Sequence, residues 1–119
     1  MDSANVVEAY NFVNGKVTMT FTRDSYVFVK TTDNAEWYMF DEYCTETSGI
    51  LKNTNTGTTE KMLAPAGTYT FTLVEYADGT LGLSYVEAEP PTESTTSVIT
   101  TGKQYTIAGT INGKDIGCN

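Results

Sequence analysis

The sequence predicts an all-β protein, an antiparallel β-sandwich of immunoglobulin-like or jelly-roll-like form. Three observations carry that expectation. Short segments alternate apolar and polar residues with period two, turn signals recur at intervals of about eight to twelve residues, and no window shows a helical apolar stripe.

The opening "ANVVEAYNFV" has room for one helical turn, but its β-branched residues favour a strand. "FVNGKV" reads as a hairpin because Asn14-Gly15 supplies the positive φ angles of a tight turn. In "KVTMTFT", Val17, Met19 and Phe21 share one face and Thr18, Thr20 and Thr22 the other. "SYVFVKT" follows as a strand that is apolar on both faces, through Tyr26, Val27, Phe28 and Val29. "TTDNA" turns the chain into "EWYMF". The stretch "TNTGTTEKMLAPAG" reads as a loop with a short strand around Met62 and Leu63.

"GTYTFTLVEY" buries Tyr69, Phe71 and Leu73, turns at "ADGT", and returns as "LGLSYV" with Leu81, Leu83 and Tyr85. The expected core is therefore Val17, Met19, Phe21, Val27, Val29 and Phe40 with those six residues. "EAEPPTESTTS" has linker composition, and 88–97 is expected to cross the surface. The tail 98–119 is too small to bury a core alone. It is expected to dock as one or two strands, with Ile111-Asn112-Gly113-Lys114 as a hairpin. A single domain over 1–119, with its main core in 6–87, is the organisation that results.

Charge narrows the partners. The net charge is −8 with only seven Lys and Arg, a field that repels phosphate backbones and anionic lipid. Nucleic acid is not an expected partner. No apolar run is long enough to span a bilayer, so membrane insertion is not expected either. Abundant Thr and acidic loops point to an extracellular or cell-surface module within a larger multidomain protein. "MDSANVVEAY" lacks the basic-then-apolar form of a signal peptide, and any export signal is expected upstream. Cys44 and Cys118 either form one bridge, worth roughly 3–4 kcal/mol by loop entropy, or stay reduced.

Catalysis is not expected. Without histidine there is no Ser-His or Cys-His nucleophile and no imidazole acid or base. The carboxylates that lie close in sequence, Asp33 with Asp41 and Glu36 with Glu42, sit near a turn, where such pairs are solvated more often than they flank a bond. No glycine-rich turn leads from a strand into a helix, which removes a phosphate cradle. No cofactor is expected. Calcium stays open as a ligand of the clustered oxygens in "TTDNAE" and "FDEYCTE".

The aromatics remain. "AEWYMFDEYC" sets the chain's single Trp among two Tyr, a Phe and a Met, with three carboxylates. A strand here sends Trp37, Met39 and Asp41 to one face and Tyr38, Phe40 and Glu42 to the other. Either face can be the core: Phe40 with Tyr38, or Trp37 with Met39. An exposed Trp37 has a mechanism, because the C–H face of a sugar stacks on an electron-rich ring while polar neighbours bond its hydroxyls.

The segments "FTRDSYVFVKTTDNAEWYMFDEY" and "GTYTFTLVEYADGTLGLSYV" resemble the small β-sandwich starch-binding modules of secreted amylases and bacterial starch-adherence proteins. The likeness is to family 26 carbohydrate-binding modules, over roughly residues 17–86, in strand rhythm and in an aromatic-rich loop. The tryptophan-proline-glycine signature of that family is absent. The resemblance implies a non-catalytic module that binds a polysaccharide of the α-glucan class. Its platform would be Trp37 with Tyr38 or Tyr43, and Lys30, Asn34 and Asp41 would bond hydroxyls. The competing expectation is a structural or adhesion module of a surface or virion protein, with Trp37 buried and no ligand.

Overall fold

The computed structural model describes residues 10–13, 15–33, 35–88 and 103–116. They form ten strands and no α-helix: β1 (Tyr10–Asn11), β2 (Lys16–Phe21), β3 (Ser25–Thr31), β4 (Trp37–Phe40), β5 (Ser48–Asn53), β6 (Met62–Ala64), β7 (Gly67–Glu75), β8 (Leu81–Glu87), β9 (Tyr105–Ile111) and β10 (Lys114–Ile116). A 3-10 turn spans Thr54–Thr56. All strands join one antiparallel sheet in the order β1-β9-β3-β4-β5-β8-β7-β2, with β10 on β9 and β6 on β3. Of the expected surface crossing 88–97, residues 89–97 lie outside the described residues, as do the tail residues 98–102 and 117–119.

The sheet is nearly closed. Its two ends, β1 and β2, are consecutive in the chain, and Val13 and Lys16 join them by a reciprocal pair of backbone hydrogen bonds, 2.9 and 3.0 Å. Gly15, at φ +76°, makes the tight turn between them. A closed or nearly closed sheet leaves few unpaired edge groups, which otherwise recruit other chains.

Register separates the two faces. Val29 opposes Tyr38, Phe40 opposes Leu51, Leu73 opposes Leu83 and Phe71 opposes Tyr85. These pairs point inward, and all eight residues are buried. Ten of the twelve expected core residues are buried there; Val17 and Tyr69 are only half-buried. Both lie at the β2 end of the sheet, where the next strand round touches β2 through one hairpin bridge. Tyr38, Leu51, Met62, Ile107 and Ile111 extend the core beyond the expected set, and Phe28 is fully buried on the opposite face of β3.

Residues 105–111 are not an appendage. β9 pairs with β3 from Tyr26↔Thr110 to Thr31↔Tyr105 and with β1 on its other edge. Its hairpin to β10 turns at Asn112 (φ +55°) and Gly113 (φ +85°). The Asn112 side-chain oxygen accepts from the Thr22 N–H at 2.6 Å, and the Asn112 N–H donates to buried Ser25 Oγ at 2.9 Å. This ties the last turn to the one between β2 and β3.

Gly109 sits opposite Val27 with φ +138°, a region open to glycine almost alone. A Cβ there would overlap the Tyr26 carbonyl oxygen, which is backbone and cannot swing aside. Gly109→Ala should therefore cost well above the roughly 1 kcal/mol of an ordinary glycine replacement. Urea unfolding would show it as a lowered midpoint, or as failure to fold. A stability within about 0.5 kcal/mol of wild type would mean that β9 is not held against β3 in this register.

Candidate functional site

The outer face of β3 and β4 carries the aromatic residues. Trp37 pairs with Lys30, so both point outward, together with Phe28 and Tyr26 two and four residues back along β3. Trp37 is half-buried and lies parallel to Phe28, ring centroids 5.3 Å apart and planes inclined by 20°. Phe28 is fully buried beneath it, and the Lys61 ammonium stands 5.8 Å from its centroid, a cation–π distance. Farther along the same face, Tyr26 and Tyr43 form an exposed pair, centroids 6.1 Å apart. Loss of hydration and the neighbouring Tyr26 phenol raise the pKa of Tyr43. Adjacent same-face positions on a strand lie about 7 Å apart, so the four rings make one strip.

The residues expected at the site divide sharply. Tyr43 lies exposed on the strip, at 49% of its full accessibility. Tyr38 does not: it points inward, 4% exposed, edge-on to Tyr105. Parity along β4 sends Tyr38 and Phe40 to the core and Trp37 and Met39 outward, and the ring beside Tyr43 is that of Tyr26. Lys30 is also corrected. It is buried between Thr106 and Trp37, its ammonium is 3.4 Å from the Thr31 carbonyl oxygen, and burial lowers its pKa against the opposing pull of Asp33. It cannot serve as a solvent-facing donor. Asp41 is exposed and pairs with Lys52 at 2.7 Å, so a hydroxyl arriving there meets an ion pair. Asn34 lies outside the described residues.

Tyr26 and Phe28 escaped selection although the strand's two apolar faces marked them. A nearly closed sheet needs only one apolar face per strand, and the second one was the signal.

A separate polar group sits at one end of the sheet. Glu36 Oε1 accepts from Tyr38 OH at 2.6 Å and from Lys103 Nζ at 2.8 Å. Tyr105 OH donates to Glu75 Oε2 at 3.0 Å. Lys103 holds the Glu36 carboxyl below its ordinary value, with Tyr38 assisting, while burial and then Glu75 raise Tyr105 strongly. Lys103 borders a cleft of about 400 Å³ with Thr31, Asp33 and Glu36. Sequence reading missed this group because Glu36, Glu75 and Lys103 lie far apart in the chain and only the sheet brings them together.

Among the described residues, no three Cys, Asp or Glu side chains gather to hold a metal ion. Cys44 is a free thiol, half-buried, with Sγ 3.5 Å from the Ser48 carbonyl oxygen. Cys118 lies outside the described residues. None of the described helical structure is long and apolar enough to cross a membrane.

No protein-family model, curated protein or solved structure matches this chain. The resemblance to starch-binding modules rests on the quoted segments alone.

Two outcomes follow from this geometry. Trp37→Ala should destabilise by about 2 kcal/mol, less than a fully buried aromatic because one side of the indole meets solvent. Thermal or urea unfolding measures it, and an unchanged transition would show that the stack on Phe28 contributes nothing. The second concerns acid. Glu36 has its pKa depressed in the folded state, so its contribution is complete above the ordinary value of 4.5 and is lost as pH falls through the lowered one. Lys103→Met should therefore be less stable than wild type at neutral pH, with the gap narrowing as pH drops below that value.

Proposed function

We propose that this chain is a non-catalytic carbohydrate-binding module that takes a neutral polysaccharide on the outer aromatic strip. The observation that carries this reading is the exposed Tyr26–Tyr43 pair, set in line with the Trp37–Phe28 stack on one face of the sheet. Rigid rings backed by a packed sheet lose little entropy on binding, and a row of them matches the repeated apolar faces of a sugar chain. Phe28 acts as the backing for Trp37, not as a contact. Asp41, Lys52 and Lys61 rim the strip with groups that bond hydroxyls.

The α-glucan class, the extracellular or cell-surface location and membership of a larger protein come from the sequence resemblance and composition. In this reading the nearly closed sheet is a sandwich folded over one core, and the strip lies on its outer surface. The net charge of −8 favours a neutral ligand over nucleic acid or anionic lipid.

A structural or adhesion module is the second reading, favoured by one observation. Trp37 covers Phe28, which gives the indole a packing role that needs no ligand.

Native-gel electrophoresis through starch, glycogen, xylan or β-glucan tests the proposal. Wild-type protein should be retarded by an α-glucan. Tyr43→Ala should weaken that retardation sharply while changing stability by less than about 0.5 kcal/mol, because the ring is exposed. Migration unaffected by every glycan would end the binding reading and leave the structural one.

A further inference from the structure

We infer that the sheet carries a second carbohydrate contact, separate from the Tyr26–Tyr43 strip, in the groove between β5 and β8 with Tyr76 as its platform. This rests on the proposed function and extends it from one contact to two.

The groove holds about 330 Å³ on the outer face. Ile50 pairs with Gly82, and Gly82 with Val74, so these positions form one row across three strands. Ser48 pairs with Ser84 in the next outward row. Ile50 and Tyr76 are both exposed, at 47% and 46%, although they border a concave surface.

Gly82 is what makes the floor. A Cβ on it would come within 2.9 Å of the Tyr76 hydroxyl oxygen and 3.0 Å of the ring. The phenol thus rests on bare backbone, in space any other residue would fill. Tyr76 is also fixed at its own backbone. Its N–H donates to the Thr80 carbonyl at 3.0 Å, and its carbonyl accepts from the Gly79 N–H at 3.1 Å. The Asp78 carboxylate locks that turn by accepting from Thr80 N–H and Oγ1, at 3.0 and 2.6 Å.

The lining decides the ligand's chemistry. Among the described residues, no carboxylate, lysine or arginine borders the groove, in a chain with net charge −8. An aromatic ring and two aliphatic side chains supply an apolar surface, and the Ser48 and Ser84 hydroxyls stand at its side. A charged ligand finds no counter-ion there. A neutral ring with one apolar face and several hydroxyls finds both kinds of partner, which is the surface of a pyranose.

The two contacts do not form one trough. The midline between β3 and β4 and that between β5 and β8 are two strand spacings apart, about 10 Å along the surface. The sheet curves between them, and the Asp41–Lys52 ion pair stands in that interval. Each contact therefore takes its own segment of polysaccharide, and the gain comes from holding a polymer twice.

Calorimetry with maltotriose, on the full chain, reads the stoichiometry directly. Wild type should bind two per chain. Tyr76→Ala should reduce this to one, as should Tyr43→Ala, and the double variant should bind none, with all melting temperatures close to wild type. Gly82→Ala keeps the phenol but displaces it, and should also leave one. Retention by starch should weaken on the order of 100-fold for either single variant. A wild-type stoichiometry of one that Tyr76→Ala does not change would overturn the second contact and leave the proposed function standing. Binding of no maltotriose, with no retention by any glycan, would remove both.

Discussion

Strand β3 is hydrogen-bonded along both edges, to β9 on one side and to β4 and β6 on the other. It is also buried on both faces from Val27 to Thr31. A strand in that position cannot carry a solvated outer row, so its outer residues must be packed by neighbours. Trp37 does this for Phe28 by ring stacking, and Lys30 lies flat enough to lose most of its contact with water. The aromatic strip is thus a consequence of how β3 is enclosed. Its exposed part begins only where β3 runs out from under that cover, at Tyr26.

The same condition explains why the residues expected to bind a sugar behave so differently. Tyr38 and Trp37 are adjacent in sequence and opposite in environment, because a pleated strand assigns them to different faces. Tyr38 enters the core but keeps its hydroxyl on Glu36, which meets the requirement that a buried phenol find a partner. Asp41 and Tyr43 lie beyond the end of β4, where the pleat no longer dictates direction, and both reach solvent.

Period two was legible wherever one face alone is buried. Met19 and Phe21 in β2, Phe71 and Leu73 in β7, and Leu81, Leu83 and Tyr85 in β8 alternate with threonines, serine or glycine and lie in the core. The short strand around Met62 and the turn at Asn112-Gly113 could also be read, since each has a distinct local signature. β5 could not. "SGILKN" has one fully buried residue, Leu51, between exposed Ile50 and half-buried Lys52, and its strand character comes from pairing with β4 and β8. The polar group of Glu36, Lys103, Tyr105 and Glu75 had no sequence signal for the same reason, since its members meet only after the sheet has formed. Trp37 defeated the reading in another way: a choice between core and surface has no place for a ring that is half of each.

Phe28 pairs with Ala108, eighty positions farther along the chain. During synthesis, β3, β4 and β5 can pair as soon as they emerge, but the β9 side of β3 must wait for almost the whole domain to be translated. For that interval the growing chain presents an open strand edge beside a cluster of aromatic rings, which is the combination that seeds association between unfinished copies. Most of the acidic residues precede β9, so the nascent chain is already strongly negative while that edge is bare. Mutual repulsion then keeps neighbouring chains apart until the missing strand arrives.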